Sequence, residues 1–120
     1  MGKGLALIIE DSPEISDIYA QVLQMVGYES EAIYDGRSAL TRLSGAVPQL
    51  IILDMNLPHV SGHYIYKQIR SDTRLTGVPV IIATANMLLV DAMKNDLAPH
   101  DQMLVKPVSP QQLRDVLNKV

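Results

Sequence analysis

Three acidic residues of the sequence stand directly after short apolar runs. Glu10 and Asp11 follow residues 5–9, and Asp54 follows residues 50–53. A carboxylate in such a position could be a nucleophile held on a rigid strand, or it could bind a hard cation through its oxygens. An aspartate also commonly starts a turn, so each residue taken singly has an ordinary structural explanation.

A hydroxyl and an ammonium group occupy two further positions of the same kind. Thr84 follows residues 78–83, and Lys106 follows residues 103–105. Singly, Thr84 could cap the next helix and Lys106 could be a solvated lysine before a proline. Together with the three carboxylates they indicate one shared site. Carboxylates that lie close together repel unless cations join them. Lys106 supplies one positive charge, and Mg²⁺, which prefers oxygen ligands and retains several waters, would supply the rest.

The apolar runs that precede these residues have the pattern of buried strands. Continuous apolar segments are typical of parallel strands that are covered on both faces of a sheet. Such segments occupy residues 5–9, 50–53, 78–83 and 103–105, and a mixed segment typical of an edge strand occupies residues 28–33.

Amphipathic segments lie between the predicted strands. The first begins with Ser12 as a cap and Pro13 at the first helical position, and Gly27 is a natural stop. The spacing of apolar residues predicts further helices over residues 38–43, 64–69, 88–97 and 110–120.

The alternation of strand and helix predicts the fold class. Five repeats of this alternation predict an α/β fold with a doubly wound, five-stranded parallel sheet and helices on both faces. Ligands bind at the carboxyl ends of the strands in such sheets. The polar residues at the strand ends are therefore expected to converge in one crevice: Glu10, Asp11, Asp54, Thr84 and Lys106.

The amino-acid composition limits which classes of partner and which cellular compartment fit this chain. The 120 residues are 48% hydrophobic, which suits one compact domain. A net charge of −3 argues against nucleic acid or an anionic membrane as a direct partner. The absence of cysteine excludes disulfides, thiol catalysis and Cys-ligated metals. The first apolar run is too short for a signal peptide or a membrane helix, so a cytoplasmic location is predicted.

Four short motifs carry a resemblance to a known family. The sequences EDSPE, LDMNLPHVSG, ATAN and LVKPV each follow or end a predicted strand. In order and spacing they resemble the receiver domain of bacterial two-component response regulators, over essentially the whole chain. The resemblance implies a single receiver domain over residues 1–120 and a flavodoxin-like sheet with strand order 2-1-3-4-5.

The resemblance implies a Mg²⁺ site. Asp11 resembles the direct metal ligand of the family, and Glu10 would act through a metal-bound water. Asp54 and the backbone carbonyl of Asn56 would complete the protein ligands.

The resemblance also assigns the residues of phosphoryl transfer. Asp54 would be the phosphoacceptor, and the Thr84 hydroxyl would bind the phosphoryl group. Lys106 would pair with Asp54 or with a phosphoryl oxygen, from a cis Lys106–Pro107 bond. These roles agree with the chemistry, since phosphoryl transfer depends on positioning and charge neutralisation.

The implied partners are those of a phosphorelay. A phosphohistidine of a sensor histidine kinase or of a histidine phosphotransfer protein would be the donor. Phosphorylation would change a face that binds a downstream protein partner or an output domain. The domain would be a switch with only self-phosphorylation and self-dephosphorylation activity, not a turnover enzyme. A candidate docking face is the outward side of the first helix, predicted to carry Ser16, Asp17, Ala20 and Gln24.

One position on the fifth strand departs from the family pattern. The fifth strand carries Met103 where the family commonly has an aromatic residue, so we predict a softer readout through that strand. Gly2 and Gly4, before the first strand, are predicted to be terminal slack. On the third helix Tyr64 and Tyr66 fall on opposite sides, so one should be buried and one exposed.

Three other functions are compatible with parts of the pattern. A haloacid-dehalogenase-type phosphatase needs an acid where this chain has Asn56. A flavodoxin-like FMN carrier would not place Glu10 and Asp11 beside a phosphate. A receiver-like interaction domain that works without phosphorylation fits the fold. The presence of Asp11, Asp54, Thr84 and Lys106 argues against it, whereas Met103 argues for it.

Overall fold

The computed structural model describes residues 2–120, so Met1 of the predicted domain lies outside the described residues. Its strands are β1 Gly4–Ile9, β2 Tyr28–Ile33, β3 Leu50–Asp54, β4 Val80–Thr84 and β5 Gln102–Val105. Its helices are α1 Pro13–Val26, α2 Gly36–Ser44, α3 Gly62–Ser71, α4 Met87–Met93 and α5 Pro110–Leu117, with a 3₁₀ turn at Thr73–Leu75.

The strands form one parallel sheet in the order β2-β1-β3-β4-β5. The predicted fold class and strand order are therefore confirmed. The central strands β3 and β4 are buried along their whole length, as their unbroken apolar sequences predict. The mixed sequence of β2 lies at one edge of the sheet, also as predicted.

The sheet separates two apolar clusters, because successive strand residues point to opposite faces. Leu7 and Ile9 of β1 belong to the cluster covered by α2, α3 and α4. Ala6 and Ile8 belong to the other cluster, which α1 and α5 cover. Helices on both faces thus hold the sheet rigid and leave its carboxyl edge free to form a site. None of the helices within residues 2–120 has the length and apolar character to cross a membrane.

Helix α1 begins and ends where its sequence predicts, but one prediction about its surface is wrong. The Ser12 side chain accepts a hydrogen bond from the Ile15 amide, and Gly27 follows the last residue of the helix. Ser16, predicted to face outward, is only 1% exposed. It lies on the same side of α1 as the buried Tyr19 and Leu23. Of the residues predicted to face outward, Asp17 and Gln24 are exposed and Ala20 is partly buried.

Helix α4 is shorter than predicted. It ends at Met93, although the pattern of apolar residues predicts a helix as far as residue 97. Asn95 and Asp96 favour turns because their side chains compete for backbone groups, and the Asp96 amide closes a turn on the Met93 carbonyl at 2.8 Å. The Ala98 amide then donates to the Tyr66 hydroxyl and not to a helical carbonyl.

The prediction that Gly4 is terminal slack is also wrong. Gly4 is the first residue of β1 and has φ of 96°, a conformation that favours glycine. A Cβ at this position would lie 2.6 Å from Gln49 Cγ. The glycine therefore allows the chain to enter the sheet close to the residue that precedes β3.

Candidate functional site

The register of the sheet brings the ends of β1 and β3 together. Ile9 pairs with Leu53, so the next residues along the two strands, Glu10 and Asp54, lie side by side. Carboxylate oxygens of Glu10, Asp11 and Asp54 all lie within 4.8 Å of one another. Glu10 and Asp54 are buried, at 1% and 2% exposure, whereas Asp11 is exposed at the mouth of the crevice.

The same register adds Thr84 and Lys106 from the other side. Asp54 pairs with Ala83, which places Thr84 one residue further along β4. Thr84 pairs with Val105, and the Lys106 amide donates to the Thr84 carbonyl at 2.8 Å. The strand-end residues predicted to converge therefore share one edge of the sheet.

Lys106 bridges two of the carboxylates. Its Nζ lies 2.7 Å from Glu10 Oε1 and 3.3 Å from Asp54 Oδ2. Burial works against the charged form, but the hydrogen bond to Glu10 and the charges of Asp54 and Glu10 outweigh it and raise the pKa of Lys106. The ammonium is thus held in its charged form beside the Asp54 carboxylate. The Lys106–Pro107 peptide bond is cis, as predicted.

The pKa of the buried Glu10 carboxyl is raised above its ordinary value. Burial is the main cause that raises its pKa to about 7, and the neighbouring Asp11 and Asp54 raise it further, against the opposing hydrogen bond from Lys106. When all three acids are ionised, their negative charge exceeds the single positive charge of Lys106. A cation among the carboxylate oxygens would relieve the remaining repulsion, so the donor set fits a hard divalent ion.

The loop after β3 holds the Asp54 side chain in a defined orientation. The Asn56 amide donates to Asp54 Oδ1 at 3.0 Å, while Oδ2 faces Lys106. The loop returns so closely that a Cβ on Gly62 would lie 2.5 Å from Met55 Cα and would also collide with the Asp54 carbonyl. Only glycine fits at this first residue of α3, so the loop is packed against the strand that carries Asp54.

Thr84 is fully buried at the end of β4. Its Oγ1 accepts a hydrogen bond from the Asn86 amide at 3.1 Å. Thr84 does not cap α4, because Asn86 has that role and accepts from the Leu88 and Leu89 amides. The Thr84 hydroxyl thus stays available to donate to a group bound in the crevice.

Sequence patterns missed two features around the site. The Ser12 amide donates to Glu10 Oε2 at 3.2 Å, so the start of α1 helps to orient that carboxylate. Tyr19 is 3% exposed, and burial is the main cause that raises its pKa, although the charges of Lys106, Glu10 and Asp54 also act on it. The helical spacing of Tyr19 indicates burial, but nothing in the sequence places it near Lys106.

The tyrosines of α3 follow the prediction that one is buried and one is exposed. Tyr64 is 51% exposed and Tyr66 is 3% exposed. Met103 is partly buried against the cluster to which Tyr66 belongs. The softer readout predicted for Met103 concerns a change of state and stays a prediction.

Comparison with protein families gives a match over nearly the whole chain. The model of the response regulator receiver domain matches residues 6–118. The high-resolution structure of the chemotaxis response regulator CheY4 of Vibrio cholerae superposes with a TM-score of 0.85 at 28% identity, covering 97% of each chain.

Curated relatives are longer than this chain. The DNA-binding response regulator MtrA of Mycolicibacterium smegmatis is 31% identical over 107 residues, which are 89% of this chain and 46% of the relative. The DNA-binding dual master transcriptional regulator RpaA of Synechocystis sp. is 33% identical over 107 residues, which are 89% of this chain and 44% of the relative. The chain therefore spans about half the length of the curated relatives it matches.

Proposed function

This chain belongs to the family of response regulator receiver domains, and we propose on that basis that Asp54 is its phosphoacceptor. The donor would be a phosphohistidine of a sensor histidine kinase or of a histidine phosphotransfer protein. The observation that carries this proposal is the setting of the Asp54 carboxylate. It is buried at a strand end, held by the Asn56 amide and paired with Lys106.

The proposed reaction moves a phosphoryl group from the donor histidine to the Asp54 carboxylate. An oxygen of the Asp54 carboxylate attacks phosphorus, the N–P bond of the phosphohistidine breaks, and an acyl phosphate forms. The bonding electrons return to the imidazole nitrogen of the donor. Because the aspartate is fixed by its strand and by the Asn56 amide, little orientational freedom is lost when the donor approaches.

The side chains around Asp54 stabilise the charge of the transferring group. Lys106 can exchange its contact with Asp54 Oδ2 for one with a phosphoryl oxygen, since only 3.3 Å separates the present pair. The buried Thr84 hydroxyl can donate to another phosphoryl oxygen. Donors of this kind are effective in a buried site because water competes little with them.

We propose that Mg²⁺ binds at the acidic end of this crevice. Asp11 and Asp54 would be direct ligands, with the Asn56 carbonyl, and Glu10 would act through a metal-bound water. The ion would neutralise part of the negative charge on the phosphoryl oxygens. The close approach of the carboxylate oxygens of Glu10, Asp11 and Asp54 supports this proposal, since it provides a set of hard oxygen ligands.

Binding of the metal can be measured without phosphorylation. Mg²⁺ should raise the melting temperature of the native protein by several degrees, because a ligand at about 100 times its Kd stabilises the folded state by about 2.7 kcal/mol. Asp11→Asn should lose most of this shift, since the exposed carboxylate at the crevice mouth is a proposed ligand. Asp17→Asn, an exposed acid on α1, should keep it. An equal Mg²⁺ shift in all three proteins would contradict the site.

The proposed function is tested by intact-mass spectrometry after treatment with acetyl phosphate. The native protein should gain one phosphoryl group with Mg²⁺ and none when the metal is chelated, because Asp54 faces other carboxylates in the metal-free site. Hydroxylamine should remove the added mass, since it cleaves acyl phosphates. A protein that binds Mg²⁺ yet stays unmodified would instead favour an interaction domain that works without phosphorylation.

Helix α1 offers a docking surface for the phosphodonor. A crevice of about 180 Å³ lies between α1 and the segment after β5, beside Lys106. Ile15, Ile18 and Pro107 line it, and Ile18 is 43% exposed. An apolar surface next to the phosphoacceptor suits a helix that presents a histidine, so we propose that the donor protein docks here.

The wider role follows from the same assignment. We propose that residues 1–120 are a single receiver domain that acts as a switch, with only self-phosphorylation and self-dephosphorylation activity. Its phosphorylated form would act on a downstream protein partner or output domain. The relatives named above are DNA-binding regulators, but the net charge of −3 makes nucleic acid a poor direct ligand for this domain. The cytoplasmic location stays a prediction of the sequence.

A further inference from the structure

A further buried carboxylate lies at the opposite end of the sheet from Glu10 and Asp54. Asp101, just before β5, is 7% exposed. Its Oδ2 accepts a hydrogen bond from the Tyr66 hydroxyl at 2.6 Å, and its Oδ1 accepts one from the Val80 amide at 2.8 Å. The proposed phosphoryl transfer uses none of these groups, yet the contacts join α3, the start of β4 and the segment that enters β5.

Arg70 and the Ala98 amide complete this arrangement. Arg70 Nε lies 3.7 Å from Asp101 Oδ2, and its Nη2 donates to the Val78 carbonyl at 2.6 Å. The Ala98 amide donates to the Tyr66 hydroxyl at 3.1 Å, so the phenol is both donor and acceptor. Burial and then the Asp101 carboxylate raise the pKa of Tyr66 to about 12, which keeps the phenol protonated as the donor to Asp101.

The two ends of α4 are held very differently. Met87 and Leu88, in its first turn, are 56% and 81% exposed. Met93, its last residue, is 2% exposed, and the Ala98 amide beyond it is bound by Tyr66. In the first turn of α4, which follows Thr84 closely in sequence, only Leu89 packs against the core. The carboxyl end is held by the buried Met93 and, five residues further on, by the bond from Ala98 to Tyr66.

We propose that Tyr66, Asp101 and Arg70 form an anchor for the carboxyl end of α4, so that α4 pivots about this end when the domain is phosphorylated. The proposal rests on the proposed function for its trigger, a movement of Thr84 toward the phosphoryl group. Opening the anchor would remove the Tyr66 hydroxyl from the buried Asp101 Oδ2, which is costly. Displacing the exposed first turn of α4 breaks few contacts, so the change should be confined there.

The anchor itself is tested in the free protein by amide hydrogen exchange. Tyr66→Phe removes only the hydroxyl, so the Ala98 amide should exchange about tenfold faster, as expected for the loss of one buried hydrogen bond. Tyr64→Phe, which removes an exposed hydroxyl from the same helix, should leave the Ala98 rate unchanged. Unchanged Ala98 exchange in Tyr66→Phe would overturn the anchor.

The pivot is tested in the native protein, which avoids any question of whether a variant folds. Beryllofluoride with Mg²⁺, a mimic of the phosphoryl group, should change the exchange of the Leu88 and Leu89 amides at least about fivefold. The Ala98 and Val80 amides should change less than about twofold. A change at Ala98 as large as that at Leu88 would overturn the pivot while leaving the proposed function intact. A lack of response at every amide would contradict the proposed function, and the pivot would fall with it.

Discussion

Asp54→Asn is expected to gain no phosphoryl group under conditions in which the native protein gains one. The amide has nearly the shape of the carboxylate but is a far weaker nucleophile, so the rate should fall by at least about 100-fold. The fold should be kept, because the Asn56 amide can still donate to the side-chain oxygen that replaces Oδ1. Removing one of the crowded carboxylates should also relieve repulsion in the metal-free protein.

The experiment is an intact-mass time course with acetyl phosphate and Mg²⁺. Asp17→Asn provides the matched control, since it makes the same chemical change at an exposed position on α1. It should be phosphorylated at the native rate. A phosphoryl group on Asp54→Asn at a rate close to native would mean that another residue is the acceptor, and the proposed function would need a different site.

Lys106→Met is expected to destabilise the metal-free protein in a pH-dependent way. The native pKa of Glu10 is about 7, above its ordinary value of 4.5. Between these values the folded protein binds more protons than the unfolded chain, so the free energy of unfolding falls as pH rises from about 4.5 to about 7. Without Lys106 the Glu10 pKa rises further, and the fall continues to higher pH.

The loss of stability relative to the native protein should therefore increase with pH. We expect about 3 kcal/mol at pH 8, where the buried carboxylates have lost the Lys106 ammonium, and about 1 kcal/mol at pH 5, where Glu10 is neutral. Urea unfolding with a metal chelator measures both values. Lys67→Met, at an exposed position on α3, should cost little at either pH. An equal loss at pH 5 and pH 8 in Lys106→Met would show that its pairing with the acids does not stabilise the fold.

The sheet could be predicted from sequence because its central strands are buried on both faces. Residues 50–53 and the apolar part of 78–83 have no polar interruption, and the structure places them at the middle of the sheet. The end of α4 could not be predicted in the same way. It depends on the Ala98 amide binding the Tyr66 hydroxyl, a contact between segments that are distant in sequence and that no local propensity contains.

The site shows the same division between local pattern and tertiary packing. The rule that ligands bind at the carboxyl ends of parallel strands was sufficient to predict that Asp54 and Lys106 lie close together. The raised pKa of Glu10 was not predictable, because burial is its largest cause and burial follows from packing. The burial of Ser16 was missed for a related reason, since a polar side chain predicts exposure and its burial follows from tertiary packing.

The division of the core by the sheet has a consequence for how the sequence can vary. Leu23 packs in the cluster under α1 and α5, and Ile69 packs in the cluster under α2, α3 and α4. Side chains that share no partners contribute to the free energy of unfolding almost independently. Changes of volume on one side thus need no compensation on the other, and the two halves of the hydrophobic interior are free to diverge separately during evolution.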